Sequence, residues 1–276
     1  MSHYKLIDIG LNLTNRQFNH DREQVIKQAV SMGVETMIVT GTSLEQSQQA
    51  QQLALLYPGI LYATAGIHPH DASSFCPQSI PSLAHLLKQT NVRAVGECGL
   101  DFNRNYSTPA EQLYCFEVQL ELAVEFQLPV FLHQRDAHSD FMRLIKKYRS
   151  GLVDAVAHCF TGDQRELEAY LNEDLYIGIT GWLCDERRGQ ALQQCVHLIP
   201  DNRLMIETDA PYLFPRDLKL GVDDLLTGKK KNKRKRNEPQ YLPHILQRLA
   251  GYRDMGEAQL AQLTVQNSRR FFSIAE

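Results

Sequence analysis

A single (β/α)8 TIM barrel, of the α/β class, is the fold this sequence predicts, on three observations. Eight short β-branched or apolar runs recur along the chain, helical patterns fill most of the intervals, and 276 residues suit the ~250 such a barrel takes. The strand candidates are residues 5–11, 34–40, 60–66, 92–97, 128–133, 154–158, 175–179 and 204–208. Several are continuously apolar, as in Met37-Ile38-Val39 and Val130-Phe131-Leu132, which suits strands covered on both faces of a parallel sheet. An open doubly wound sheet is the alternative, but no glycine-rich dinucleotide fingerprint follows the first strand.

The clearest helix opens at Thr108-Pro109-Ala110-Glu111, where threonine caps, proline fits the first turn and glutamate closes a capping box. Leu113, Phe116, Leu120 and Ala123 then recur at helical spacing and give one stripe to face a sheet. Residues 43–56 and 163–171 are helices of the same kind. No internal repeat or domain boundary interrupts the pattern, so residues 1–276 are expected to form one barrel domain. The single compositional break is a basic surface loop at about 217–237, carrying Lys229-Lys230-Lys231-Asn232-Lys233-Arg234-Lys235-Arg236. Such a run cannot pack in a core and is expected to be mobile and solvated. It either recruits a polyanion near the barrel rim or is a tolerated insertion, since no aromatic is interleaved for base stacking.

Hydrophobic content of 43% and charged content of 22% are those of an ordinary globular protein. No stretch reaches the ~18–20 apolar residues of a membrane helix, and Met1-Ser2-His3-Tyr4-Lys5 lacks a signal-peptide layout. Six cysteines without a C-x-x-C pair read as reduced thiols, and the expected location is the cytoplasm. A net charge of -3 gives no global attraction to nucleic acid, so a polyanion would need a local positive region.

Chemistry collects at strand ends. Glu97 ends the fourth strand candidate, His133 the fifth and His158 the sixth, while Asp209 follows the eighth. In a parallel barrel these positions share the C-terminal rim, where barrel active sites sit. One such histidine alone is more often a satisfied polar residue, but four groups at one rim form a nitrogen and oxygen set suited to a divalent metal. Gly96 and Gly99 flank the carboxylate, allowing close backbone approach to a ligand. Arg135 lies two residues beyond His133 and is either a bidentate phosphate clamp or half of a surface ion pair. Trp182 follows the seventh strand and either stacks on a base or anchors the rim. His3, His20, His85, His138, His197 and His244 read as structural or surface residues.

Four strings carry these residues: Gly96-Glu97-Cys98-Gly99-Leu100-Asp101, His133-Gln134-Arg135-Asp136-Ala137, His158-Cys159-Phe160-Thr161-Gly162 and Glu207-Thr208-Asp209-Ala210-Pro211-Tyr212. With Gly66-Ile67-His68-Pro69-His70, they closely resemble the TatD family of metal-dependent hydrolases, in order and over nearly the whole chain. The resemblance implies an amidohydrolase-type barrel acting as a divalent-metal DNase. It makes Glu97, His133 and His158 metal ligands, Asp209 a further ligand or the catalytic base that activates water, and His68 a substrate-phosphate contact. Many members carry His-x-His after the first strand, where this chain has Gly10 and Asn12. One firmly bound ion is therefore expected, with Asn12 holding a water where a second would sit. Asn12-Leu13-Thr14 and Cys184-Asp185-Glu186-Arg187-Arg188-Gly189 resemble a branch whose implied activity is 3′–5′ exonuclease action, as a monomer, on single-stranded DNA and RNA. Magnesium and a role in DNA repair come with that resemblance, and Mn²⁺ or Zn²⁺ would suit the histidines in vitro.

Two rival functions use the same residues. An amidohydrolase-type enzyme cleaving a small amide, ester or lactone needs the same polarising metal and activated water. A non-catalytic nucleic-acid-binding barrel would have no need of Glu97, His133, His158 and Asp209 together.

Overall fold

The computed structural model describes residues 4–219 and 236–275, and most of the basic run lies outside the described residues. The strands are β1 (Leu6–Leu11), β2 (Val34–Val39), β3 (Leu61–Ala65), β4 (Val92–Asp101), β5 (Val130–Arg135), β6 (Ala155–Ala157), β7 (Tyr176–Ile179) and β8 (Leu204–Ile206). They form one sheet in sequence order, and every neighbouring pair is parallel. The two ends of the sheet meet through Asn12 N–H donating to Ala210 O at 2.7 Å and Asp209 N–H to Gly10 O at 2.9 Å. The predicted barrel is therefore present and nearly closed.

The continuous apolar runs are explained by two cores. Ile7, Ile9, Ile38, Ala94, Phe131, Val156, Tyr176 and Met205 pack into one cluster with Val265, Phe271 and Phe272 of the C-terminal helix. Leu6, Met37, Val39, Val95, Val130, Leu132, Ile177 and Leu204 belong to a separate cluster with the helices. Alternate residues of a strand thus serve opposite faces, as strands covered on both sides must.

Nine helices are described: α1 (Arg22–Ser31), α2 (Leu44–Leu56), α3 (Ser79–Leu87), α4 (Pro109–Phe126), α5 (His138–Tyr148), α6 (Gln164–Asn172), α7 (Gln190–Cys195), α8 (Leu242–Arg253) and α9 (Glu257–Phe272). Ser43, Thr108 and Asp163 cap α2, α4 and α6 through their side chains, where the sequence placed them. None is long and apolar enough to cross a membrane.

Two expectations need correction. β4 does not end at Glu97 but continues to Asp101, because its pairing with β5 shifts register between Gly96 and Cys98, leaving Glu97 as an extra residue in the strand. Gly96 and Gly99 have φ of +136° and +144°, and a Cβ on either would strike a carbonyl oxygen of β5. These glycines let the two strands approach. At the edge of the basic run, Arg236 is not solvated. Its guanidinium donates to both Asp21 oxygens at 2.9 and 2.7 Å and lies 4.7 Å over the Phe18 ring.

The capping box of α4 pairs Thr108 Oγ1 with Glu111 N–H at 3.3 Å and Glu111 Oε2 with Thr108 N–H at 2.7 Å. Thr108→Ala is expected to lower stability by about 1 kcal/mol, read as a shifted urea midpoint with an unchanged slope.

Candidate metal centre

The register shift that makes Glu97 an extra residue leaves its carboxylate buried with three imidazoles. Glu97 Oε1 lies 2.9 Å from His158 Nε2, 3.0 Å from His133 Nδ1 and 3.3 Å from His68 Nε2. Each histidine reaches it from a different part of the rim: His68 follows β3 and caps a 3-10 turn over Pro69–Ser74, His133 lies in β5 and His158 follows β6. Burial alone would neutralise the carboxyl, yet His158, His68 and His133 hold it well below the ordinary range. Burial likewise opposes charge on His158, but Glu97 and Glu207 raise its pKa well above the usual imidazole value. His68 falls to about 4, because burial outweighs its single carboxylate neighbour. It is a neutral imidazole at pH 7 and offers a lone pair or an N–H rather than positive charge.

Further carboxylates hold these rings in place. Glu207, fully buried, accepts from Cys159 N–H at 2.5 Å through Oε1 and contacts His158 Nδ1 at 3.1 Å through Oε2. Asp101 meets His70 Nε2 at 2.7 Å and accepts the Asn103 and Arg104 N–H groups at 2.9 Å each. Asp8 accepts from the Thr208 N–H and hydroxyl at 2.9 and 2.5 Å, and burial pushes its carboxyl up to about 7. Sequence reasoning assigned no role to Glu207, Asp101, His70 or Asp8. The first three sit inside the recognised strings, and that adjacency was the available signal.

His68, Glu97 and His133 present one donor atom each within 4.8 Å of one another, and His158 reaches the same Glu97 oxygen. His133 Nε2 is buried without a hydrogen-bond partner, 3.6 Å from Asp101 Oδ2. A converging nitrogen and oxygen set with an orphaned imidazole nitrogen fits a divalent cation. The structure thus groups His68 with the expected ligands.

Asp209 follows β8 with φ of +54°, an uncommon conformation for a residue with a side chain. Its backbone N–H is fixed to Gly10 O, and its Oδ1 accepts from Asn12 Nδ2 at 3.1 Å. Burial raises its carboxyl to about 8, with Glu97 and Glu207 adding to the rise and His158 opposing it. A Cβ on Gly10 would strike Glu207 Oε2 and Phe131 Cζ, so a ligating side chain at this position would require both buried side chains to shift. Arg135 ends β5 with its side chain exposed, and its carbonyl accepts from Phe102 N–H at 2.9 Å. The Trp182 ring packs against the core and carries the Arg188 guanidinium 4.4 Å from its centroid, as a rim anchor would.

Comparison with known proteins places this geometry. Residues 7–273 match the family described as TatD related DNase. The chain is 48% identical over 269 residues to the 3′–5′ ssDNA/RNA exonuclease TatD of Salmonella typhimurium, covering 98% of this chain and 99% of that one. Identity is 50% over 270 residues to the protein of the same name from Edwardsiella piscicida, covering 98% and 100%. A solved hydrolase of the TatD family from Entamoeba histolytica superposes with a TM-score of 0.85 at 26% identity, covering 99% and 100% of the two chains.

The coupled charges set a pH window for the metal-free chain. Glu97, held low, contributes stability above its unfolded value near 4.5 and loses it as pH falls. His158, held high, contributes below its unfolded value near 6.5 and loses that as pH rises through its folded value. The chelator-treated wild type should therefore exceed His158→Gln in Tm most between about pH 4.5 and 6.5. The gap should narrow on the alkaline side, and a gap independent of pH would refute the pairing.

Proposed function

The chain belongs to the TatD related DNase family, and from that premise we propose that it is a metal-dependent 3′–5′ exonuclease of single-stranded DNA and RNA, acting as one barrel domain. The observation that carries the reading is the meeting of three imidazole nitrogens on Glu97 Oε1. The proposed ligands are Glu97, His133 and His158, with His68 alongside and Asp209 as a further ligand or the base. Magnesium is the proposed ion in the cell, and Mn²⁺ or Zn²⁺ suits the nitrogen-rich set more tightly. A single firmly held ion accords with the crowding at Gly10. Divalent-metal chemistry at such a centre offsets phosphodiester charge and eases deprotonation of water.

The chain's own residues supply the rest. The Asn12 amide orients Asp209 Oδ1, and burial raises this carboxyl to about 8, so its ionised form is a stronger base than an ordinary carboxylate and Asp209 is the proposed acceptor of the proton from the attacking water. His68, neutral at pH 7, donates or accepts one hydrogen bond at the phosphate side of the centre. Arg135, exposed at the rim, is the proposed group that steadies the phosphate. A cavity of about 950 Å³ adjoins the site at Asn12 and Tyr212 and is lined further by Asn15, Arg16, Arg22 and Gln46. Amides and guanidinium groups of that kind suit bases and phosphates of a single strand. Six cysteines without a disulfide accord with action in the cytoplasm, where thiols stay reduced.

Digestion of end-labelled strands tests the reading. A 5′-labelled single strand should shorten progressively with Mg²⁺ and remain intact with chelator. Asp209→Asn should lower kcat by at least about 10²-fold while strand binding persists, and unchanged turnover would remove Asp209 from its role.

A further inference from the structure

A second set of metal-ligating side chains lies outside the catalytic set. Cys184 closes the 3-10 turn Gly181–Cys184 after β7, Asp217 lies in the segment after β8, and His244 lies in the first turn of α8. One donor atom from each falls within 4.8 Å of the others. We propose that Cys184, Asp217 and His244 form a second metal site, selective for a thiophilic divalent cation such as zinc, that ties the segment leaving β8 to α8 and to the turn after β7.

The donor chemistry separates this site from the catalytic one. Thiolate, imidazole and carboxylate together are a zinc set, whereas Mg²⁺ favours oxygen and does not compete for sulfur. The donors are also held ready. His244 Nε2 lies 2.7 Å from Asp217 Oδ1, while the Arg248 Nε lies 2.8 Å from the other oxygen, Oδ2. One carboxylate oxygen is thus fixed from outside and the other turned toward the cluster, the kind of support metal ligands commonly have. Cys184 is 3% exposed, and the Asp217 and His244 side chains are 30% and 18% exposed, so the cluster is sheltered yet open to an ion on one side.

Burial, reinforced by the Asp217 carboxylate, pushes the Cys184 thiol up to about 12. A cation held here would take the sulfur as thiolate, its proton passing to solvent, and would replace the contact between His244 Nε2 and Asp217. Three protein ligands leave a fourth tetrahedral position for water. The bland reading is an Asp217 ion-pair knot joining His244 and Arg248, with Cys184 a bystander.

Cobalt distinguishes the two, because a thiolate bound to Co²⁺ gives a near-ultraviolet charge-transfer band that nitrogen and oxygen ligands do not. The chelator-stripped, reduced full-length chain is titrated with Co²⁺. The band should appear and saturate with no more than two equivalents, one for each centre, vanish in Cys184→Ser, and persist in Glu97→Gln, whose substitution touches only the catalytic centre. Zn²⁺ should bleach it. His244→Gln, at a partly exposed position, should weaken Co²⁺ binding by at least about tenfold, with circular dichroism and Tm confirming that both variants fold. Absence of the band in the wild type, its survival in Cys184→Ser, or unchanged affinity in His244→Gln would each overturn the proposal.

Discussion

A charged carboxylate buried among three imidazoles is the interaction on which the rest of this structure turns. Taken alone, Glu97 would surrender its charge on leaving water. It keeps it because His158, His68 and His133 surround one oxygen. Those rings come from positions up to 90 residues apart in the chain, so only a rigid frame can hold them at hydrogen-bond distance. The nearly closed parallel barrel supplies that frame, and its largely buried strands carry these groups to one rim.

Around that carboxylate the polar groups form a supporting tier. Glu207 uses both oxygens, one on the His158 ring and one on the Cys159 backbone. Asp101 is anchored by two backbone N–H groups before it meets His70. Asp8 clasps Thr208 at the seam between β1 and the chain after β8. A buried network of this kind is stable only when its members are satisfied. The atom left without a partner, His133 Nε2, therefore points to where a ligand completes it.

The barrel was legible because alternate residues of a two-face-covered strand are all apolar, and eight such runs have few other ways to pack. Helix starts at Ser43, Thr108 and Asp163 were legible because a cap is local chemistry, complete within four residues. The convergence of Glu97, His133 and His158 followed once strand ends were mapped to one rim. The place of Glu97 within β4 did not, since a register shift depends on the partner strand and leaves no mark in its own sequence. Gly96 illustrates the same limit: the β5 carbonyl that leaves no space for a side chain there is set by the partner strand, and nothing local announces it. Glu207 and Asp101 escaped notice because their work is done through histidines that are distant in sequence. His244 read as a surface histidine, since its Asp217 partner lies 27 residues away.

Gly10 carries a consequence for redesign. Glu207 and Phe131 occupy the space a side chain there would need. Histidine engineered into that position would press on the glutamate that steadies His158, so the substitution disturbs the existing centre before a second one could form. A redesign for two ions therefore begins with a paired change at Glu207 or Phe131, both of them buried parts of the barrel.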